Sequence, residues 1–181
     1  MTATDVHVLQ HVAFSASAPA TTGPSALKAH SLLSTNKHSD ALHLCIASFT
    51  GYPPGLRVDK CELLNVIHEL IHTSTADLAL GPQILQFLKS VQRTPAEHLY
   101  YRARAALLSF QLLFKEGNFS AGTTKLRYAI AFMESISLQE LNDGVVDCEG
   151  RLVAMEEALN NPQFGMLTFA RILLASMEGR A

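Results

Sequence analysis

Charged side chains are scarce in this chain. Asp, Glu, Lys and Arg make up 17% of its 181 residues, against about 25% in an ordinary soluble domain. The net charge of −2 offers no excess of positive charge, so neither nucleic acid nor an anionic membrane surface is expected as the main partner. Cysteine is equally sparse. Cys45, Cys61 and Cys148 are odd in number, widely spaced and form no CxxC pair, which argues against a disulfide framework. They read as reduced, partly buried thiols of an intracellular protein, cytoplasmic or nuclear. No stretch approaches the about 18 consecutive apolar residues that a membrane-spanning helix needs. The first 20 positions hold no Lys or Arg, and His7 and His11 interrupt the apolar stretch there, so no signal peptide is expected. Glycine-rich phosphate loops and nucleophile elbows are also missing, which removes the commonest phosphoryl- and acyl-transfer signatures.

What the chain has in quantity is apolar surface, 48% of residues, arranged mostly at helical spacing. Residues 1–14 read as one short strand or a loose arm, and the small, polar Ser15 to Pro24 reads as a linker. Residues 1–24 are therefore expected to form an arm and linker, and 25–181 a single helical domain. Helices are expected from Ser25 to Thr35 and from about Ser39 to Thr50. In the second of these a strand alternation at Leu42, Leu44 and Ile46 competes with a helical stripe of Leu42, Cys45, Ile46 and Phe49; alanine content favours the helix. The next helix is capped by Asp59 and Glu62 and runs to about His72, and another runs from Gly81-Pro82 through Val91.

The clearest periodicity lies between Pro95 and Glu116. There Leu99, Ala103, Ala106, Leu107, Phe110, Leu113 and Phe114 share a stripe, with Gly117-Asn118 as a stop signal. Helices beginning at Ser120 or Thr123, from Leu138 to Leu159 with a break near Gly144, and from Phe164 to Met177 complete the reading. The last is apolar round most of its circumference, which suits the centre of a bundle or a seam with another subunit. The fold class is thus mostly α, a compact bundle or array of about six to eight helices.

One stretch carries chemistry by itself. His68-Glu69-Leu70-Ile71-His72 reads HELIH, and it resembles the HExxH signature of the zincin metallopeptidases. A helix puts His68 and His72 on one face, where both can ligate one metal ion, with Glu69 placed to polarise a metal-bound water. The motif is short: with 8 His in the chain, shuffling reproduces it in about 2% of cases, so context must decide. The apolar stripe Leu63, Val66, Ile67, Leu70 and Ile71 supports the helix and leaves Asn65, His68, Glu69 and His72 on its other side. A catalytic zinc needs a third protein ligand. Thr75 and Leu78 stand where a metzincin would have glycine and histidine. Glu97 is the best remaining candidate, although Thr94-Pro95-Ala96-Glu97 also has the form of a capping box. Asp77 and His98 have no independent signal. A zincin also requires a strand beside the helix.

The turn Lys115-Glu116-Gly117-Asn118-Phe119, with Leu126 and Ala129 beyond it, resembles the centre of a tetratricopeptide-type helical hairpin. It departs from that pattern at Phe110, where a small residue is usual, and at Gly122, where alanine is. No 34-residue period recurs, so a repeat protein is not expected. Charge is segregated: Arg93, Arg102, Arg104, Lys115, Lys125 and Arg127 form a basic stretch, and Glu134, Glu140, Asp143, Asp147, Glu149, Glu156 and Glu157 an acidic one. Tyr100 and Tyr101 beside Arg102 and Arg104 read as core rather than as a base-stacking platform.

The favoured expectation is a non-enzymatic helical interaction or scaffold module. It would self-associate or bind a protein partner through apolar helix faces and need no cofactor. The alternative is a small zinc metallopeptidase with His68, His72 and Glu97 as ligands and Glu69 as general base.

Overall fold

The structure, a computed structural model, describes residues 23–53, 55–73, 80–136, 145–146, 152–153 and 162–179. Its helices are α1 (Pro24–Ser34), α2 (His38–Gly51), α3 (Val58–Thr73), α4 (Leu80–Arg93), α5 (Leu99–Lys115), α6 (Phe119–Glu134) and α7 (Pro162–Glu178). The expected all-α architecture is what forms. The N-terminal arm and its short strand lie outside the described residues, except that Pro24 already opens α1 as its first-turn proline.

Local chemistry sets the links. After α1 the chain turns on Asn36, whose φ is 58°. Asn36 N donates to Leu33 O at 2.9 Å and Lys37 N to Leu32 O at 2.9 Å, the paired bonds of a Schellman stop. After α5 the same motif recurs on Gly117, with φ 77°, and Asn118 N donating to Leu113 O at 2.8 Å. Asn118 then caps α6 through its side chain, which accepts from Ala121 N at 3.3 Å. That places the start of α6 at Phe119, ahead of the expected Ser120 or Thr123. The stretch Leu42 to Ile46 is helical, as alanine content favoured.

Four expectations change. The helix expected from Pro95 begins at Leu99, because His98 Nδ1 accepts from Tyr100 N at 3.1 Å and supplies the cap. Asp59, expected as an N-cap, lies inside the first turn of α3, its carboxylate reaching instead to the N-cap of α1. A Cβ added at Gly23 would stand 1.8 Å from Asp59 Oδ1, so only glycine fits there. Within 138–159, the described residues Val145–Val146 (β1) and Leu152–Val153 (β2) pair antiparallel, Val145 opposite Val153 and Val146 opposite Leu152. The β-branched valines favour that pairing over a helix already weakened by Gly144.

The fourth change concerns the centre. It is α5, not α7, that is buried almost all round, from Tyr100 to Leu113. Alanines at 103, 105 and 106 are fully buried and let α3, α4 and α6 pack closely against it. The last helix, α7, packs on α6 at the end of the array: Ala170 and Leu173 are buried there while Ile172 is 51% exposed. On the other side, α3 is sandwiched by α1, α2 and α5. The two departures from the tetratricopeptide pattern compensate each other, since Phe110 Cδ2 lies 3.5 Å from where a Cβ on Gly122 would stand. The ring stands at ordinary contact distance from that position, and α5 and α6 still approach closely.

Candidate functional site on the polar face of α3

The stripe expected for α3 is buried, and Asn65, His68, Glu69 and His72 form its more open side, Glu69 being the most exposed. Helical spacing does bring the two histidines together, with ring centroids 4.4 Å apart and planes at 65°. Their surroundings belong to neighbouring helices. His68 Nδ1 is 3.1 Å from Gln111 Oε1 on α5, which fixes the orientation of the ring. Lys115 Nζ donates to Ile71 O at 2.6 Å, beside His72. Glu69 turns to α1, where its carboxylate lies 3.3 Å from His30 Nδ1. The hydrogen bond that His30 donates to Glu69 raises the pKa of His30, against the opposing effect of burial.

Above this pair the seam continues inward. Glu62 is 3% exposed, and burial raises its carboxyl pKa despite the Asn65 hydrogen bond and the nearby Arg104 guanidinium. Arg104, one of the basic stretch, is buried at 4% exposure, donating to Asn65 Oδ1 and, at 3.3 Å, to the Tyr100 hydroxyl. Tyr100 and Tyr101 are core residues, 1% and 0% exposed. Burial pushes the Tyr100 phenol and the adjacent Cys61 thiol each up to about 12, so neither is an activated nucleophile.

Glu97 is elsewhere. Both its carboxylate oxygens lie 2.9 Å from Lys60 Nζ, near the start of α3. Eight residues of helix separate Lys60 from His68, roughly 12 Å along the axis. Lys60 is 1% exposed, and its ammonium stands 4.6 Å from the Phe49 ring centroid and 5.4 Å from that of Tyr101. The carboxylate therefore neutralises a buried cation instead of approaching the histidines. Among the described residues no three His, Cys, Asp or Glu side chains are grouped so as to hold a metal ion. The elements packed on α3 are helices, with no strand along its polar side among the described residues. The described residues by themselves bring no third ligand to His68 and His72; Asp77 lies outside the described residues.

His30, Gln111 and Lys60 had no signal in the sequence. Each owes its role to a helix distant in the chain, whereas periodicity shows only which side of its own helix a residue occupies. Comparison with protein-family models, curated proteins and solved structures finds no match.

Proposed function

We propose that this chain is a non-enzymatic helical interaction module that associates with itself through the outer side of α6 and α7. One observation carries the reading. Among the described residues, the large apolar side chains more than half exposed are Leu27, Phe119, Tyr128 and Ile172. Tyr128 and Ile172 lie along the helix pair at the end of the array, and Phe119 opens α6 with its ring against Phe114 of α5. Such side chains on a terminal layer are stabilised by a further layer, in the way stacked helices bury one another. Two ion pairs, Arg127 with Glu178 at 2.7 Å and Arg171 with Glu134, hold α6 and α7 together as one layer.

The groups of the α3 seam serve this module as internal fastenings between α1, α3 and α5. An intracellular setting belongs to the same reading, since Cys45 and Cys61 are buried free thiols. No helix among the described residues is long and apolar enough to cross a membrane. Native mass spectrometry of the full chain tests the proposal: a dimer or higher species is expected at micromolar concentration, and a monomer throughout would remove its basis.

A further inference from the structure

Several cations in the described residues are matched by a carboxylate. Lys60 has Glu97, Arg57 has Asp59, Arg127 has Glu178 and Arg171 has Glu134. One group breaks the pattern. Gln92, near the C-terminus of α4, is 6% exposed, and its amide donates inward to Ser109 Oγ at 2.8 Å and Ala105 O at 3.2 Å. Those two bonds leave Oε1 fixed, and it accepts Lys125 Nζ of α6 at 2.7 Å. The backbone oxygen of Gln92 accepts Arg102 Nε at 3.0 Å. Lys89 and Arg93, four residues apart on α4 and so on one side of it, stand beside this centre, and both repel the Lys125 ammonium. Four cations thus surround a neutral residue, and no carboxylate is paired with any of them among the described residues. The partial negative charge at the end of α4 offsets part of this repulsion; an external anion would offset the rest.

We infer that the Lys89, Arg93, Arg102 and Lys125 cluster is a docking surface for an acidic peptide segment of a partner protein. The buried carboxamide holds Lys125 in position before any partner arrives, so less ordering remains to be done on binding. Cations spread over three helices suit carboxylates spaced along an extended chain. A single-stranded nucleic acid fits less well: successive bases need several aromatic faces, whereas Tyr100 and Tyr101 are closed within the core and the exposed ring beside the cluster is that of Tyr128. The surface adjoins the self-association face proposed above, with Lys125 Nζ 5.6 Å from the Tyr128 ring centroid, but does not depend on it. A monomer that still takes the peptide would sink that reading and leave this one standing.

Fluorescence anisotropy of a labelled oligoglutamate peptide against the full chain is the test. Binding is expected at low salt and should be largely lost when ionic strength reaches about 0.3 M. The double variant Lys89→Gln/Arg93→Gln, at exposed positions that leave the fold intact, should weaken it about fivefold. Lys28→Gln/Lys37→Gln, removing as much charge from the other end of the molecule, should leave it unchanged. Absence of binding, equal loss in both double variants, or tighter binding of an oligothymidylate of equal charge would each overturn the assignment.

Discussion

Replacing Glu97 by glutamine keeps shape and removes charge, and its cost follows from where Lys60 sits. The Lys60 side chain is 1% exposed, while that of Glu97 retains 17%. In Glu97→Gln the ammonium keeps its contacts with the Phe49 and Tyr101 rings, each worth about 1 kcal/mol, but loses the carboxylate paired with it and, at 1% exposure, gains little water in exchange. Breaking a buried pair from one side in this way costs about 3–5 kcal/mol. Lys60→Met should cost less, about 2–3 kcal/mol, because the carboxylate left behind keeps some hydration. Replacing both, as Lys60→Met/Glu97→Leu, exchanges the pair for apolar volume and should return to within about 1–2 kcal/mol of the parent. Urea unfolding followed by circular dichroism measures all three, with melting temperatures about 10 °C lower for Glu97→Gln. A loss below about 1 kcal/mol in Glu97→Gln would refute the reasoning. So would a double variant whose loss equals the sum of the singles.

Three further outcomes follow from the same structure. Gly122→Ala should stabilise by about 0.5–1 kcal/mol in thermal unfolding, because its Cβ would meet Phe110 and Leu113 at ordinary contact distance while the helix gains propensity; a loss would mean that α5 and α6 are packed more tightly than described. Glu62 and His30 are both held above their ordinary values of 4.5 and 6.5. Folding therefore favours the proton at each, and their contribution is whole below those values and falls as pH rises through the folded-state ones. Stability should decline with pH from about 4.5 upward more steeply in the parent than in Glu62→Gln, and identical pH profiles would count against the buried carboxyl. Burial pushes the Cys45 and Cys61 thiols up to about 12. Peptide mapping after treatment with a thiol-specific disulfide reagent at about pH 8 should find both unlabelled in native protein and labelled in urea.

Most helix centres and the inward stripe of α3 were legible because each depends on residues within one or two turns. Stops at Asn36 and Gly117 rest on local backbone conformation, and Gly117 was readable for the same reason. What stayed hidden depends on partners far along the chain. Thr94 to Glu97 has the residues of a capping box, yet Lys60, 37 positions away, takes the carboxylate, and the helix starts later. The apolar circumference of α7 suggested the centre of the bundle, but α5, with three small alanines on its flanks, is the helix that can be approached from several sides. Arg104 read as one of a basic stretch, and Asn65 and Tyr100 close around it. In HELIH the sequence correctly places two histidines together; that Glu69 faces His30 and Glu97 faces Lys60 is decided by packing between helices.

Self-association through the end of the array is the claim on which the functional reading stands, and sedimentation equilibrium of the full chain with and without Ile172→Glu tests it most directly. The substituted side chain sits at a half-exposed helical position, so the monomer fold should survive. The account predicts a concentration-dependent dimer for the parent, and a monomer for Ile172→Glu with unchanged helical content. A parent that stays monomeric at every concentration, or a dimer indifferent to the charge at position 172, would contradict it.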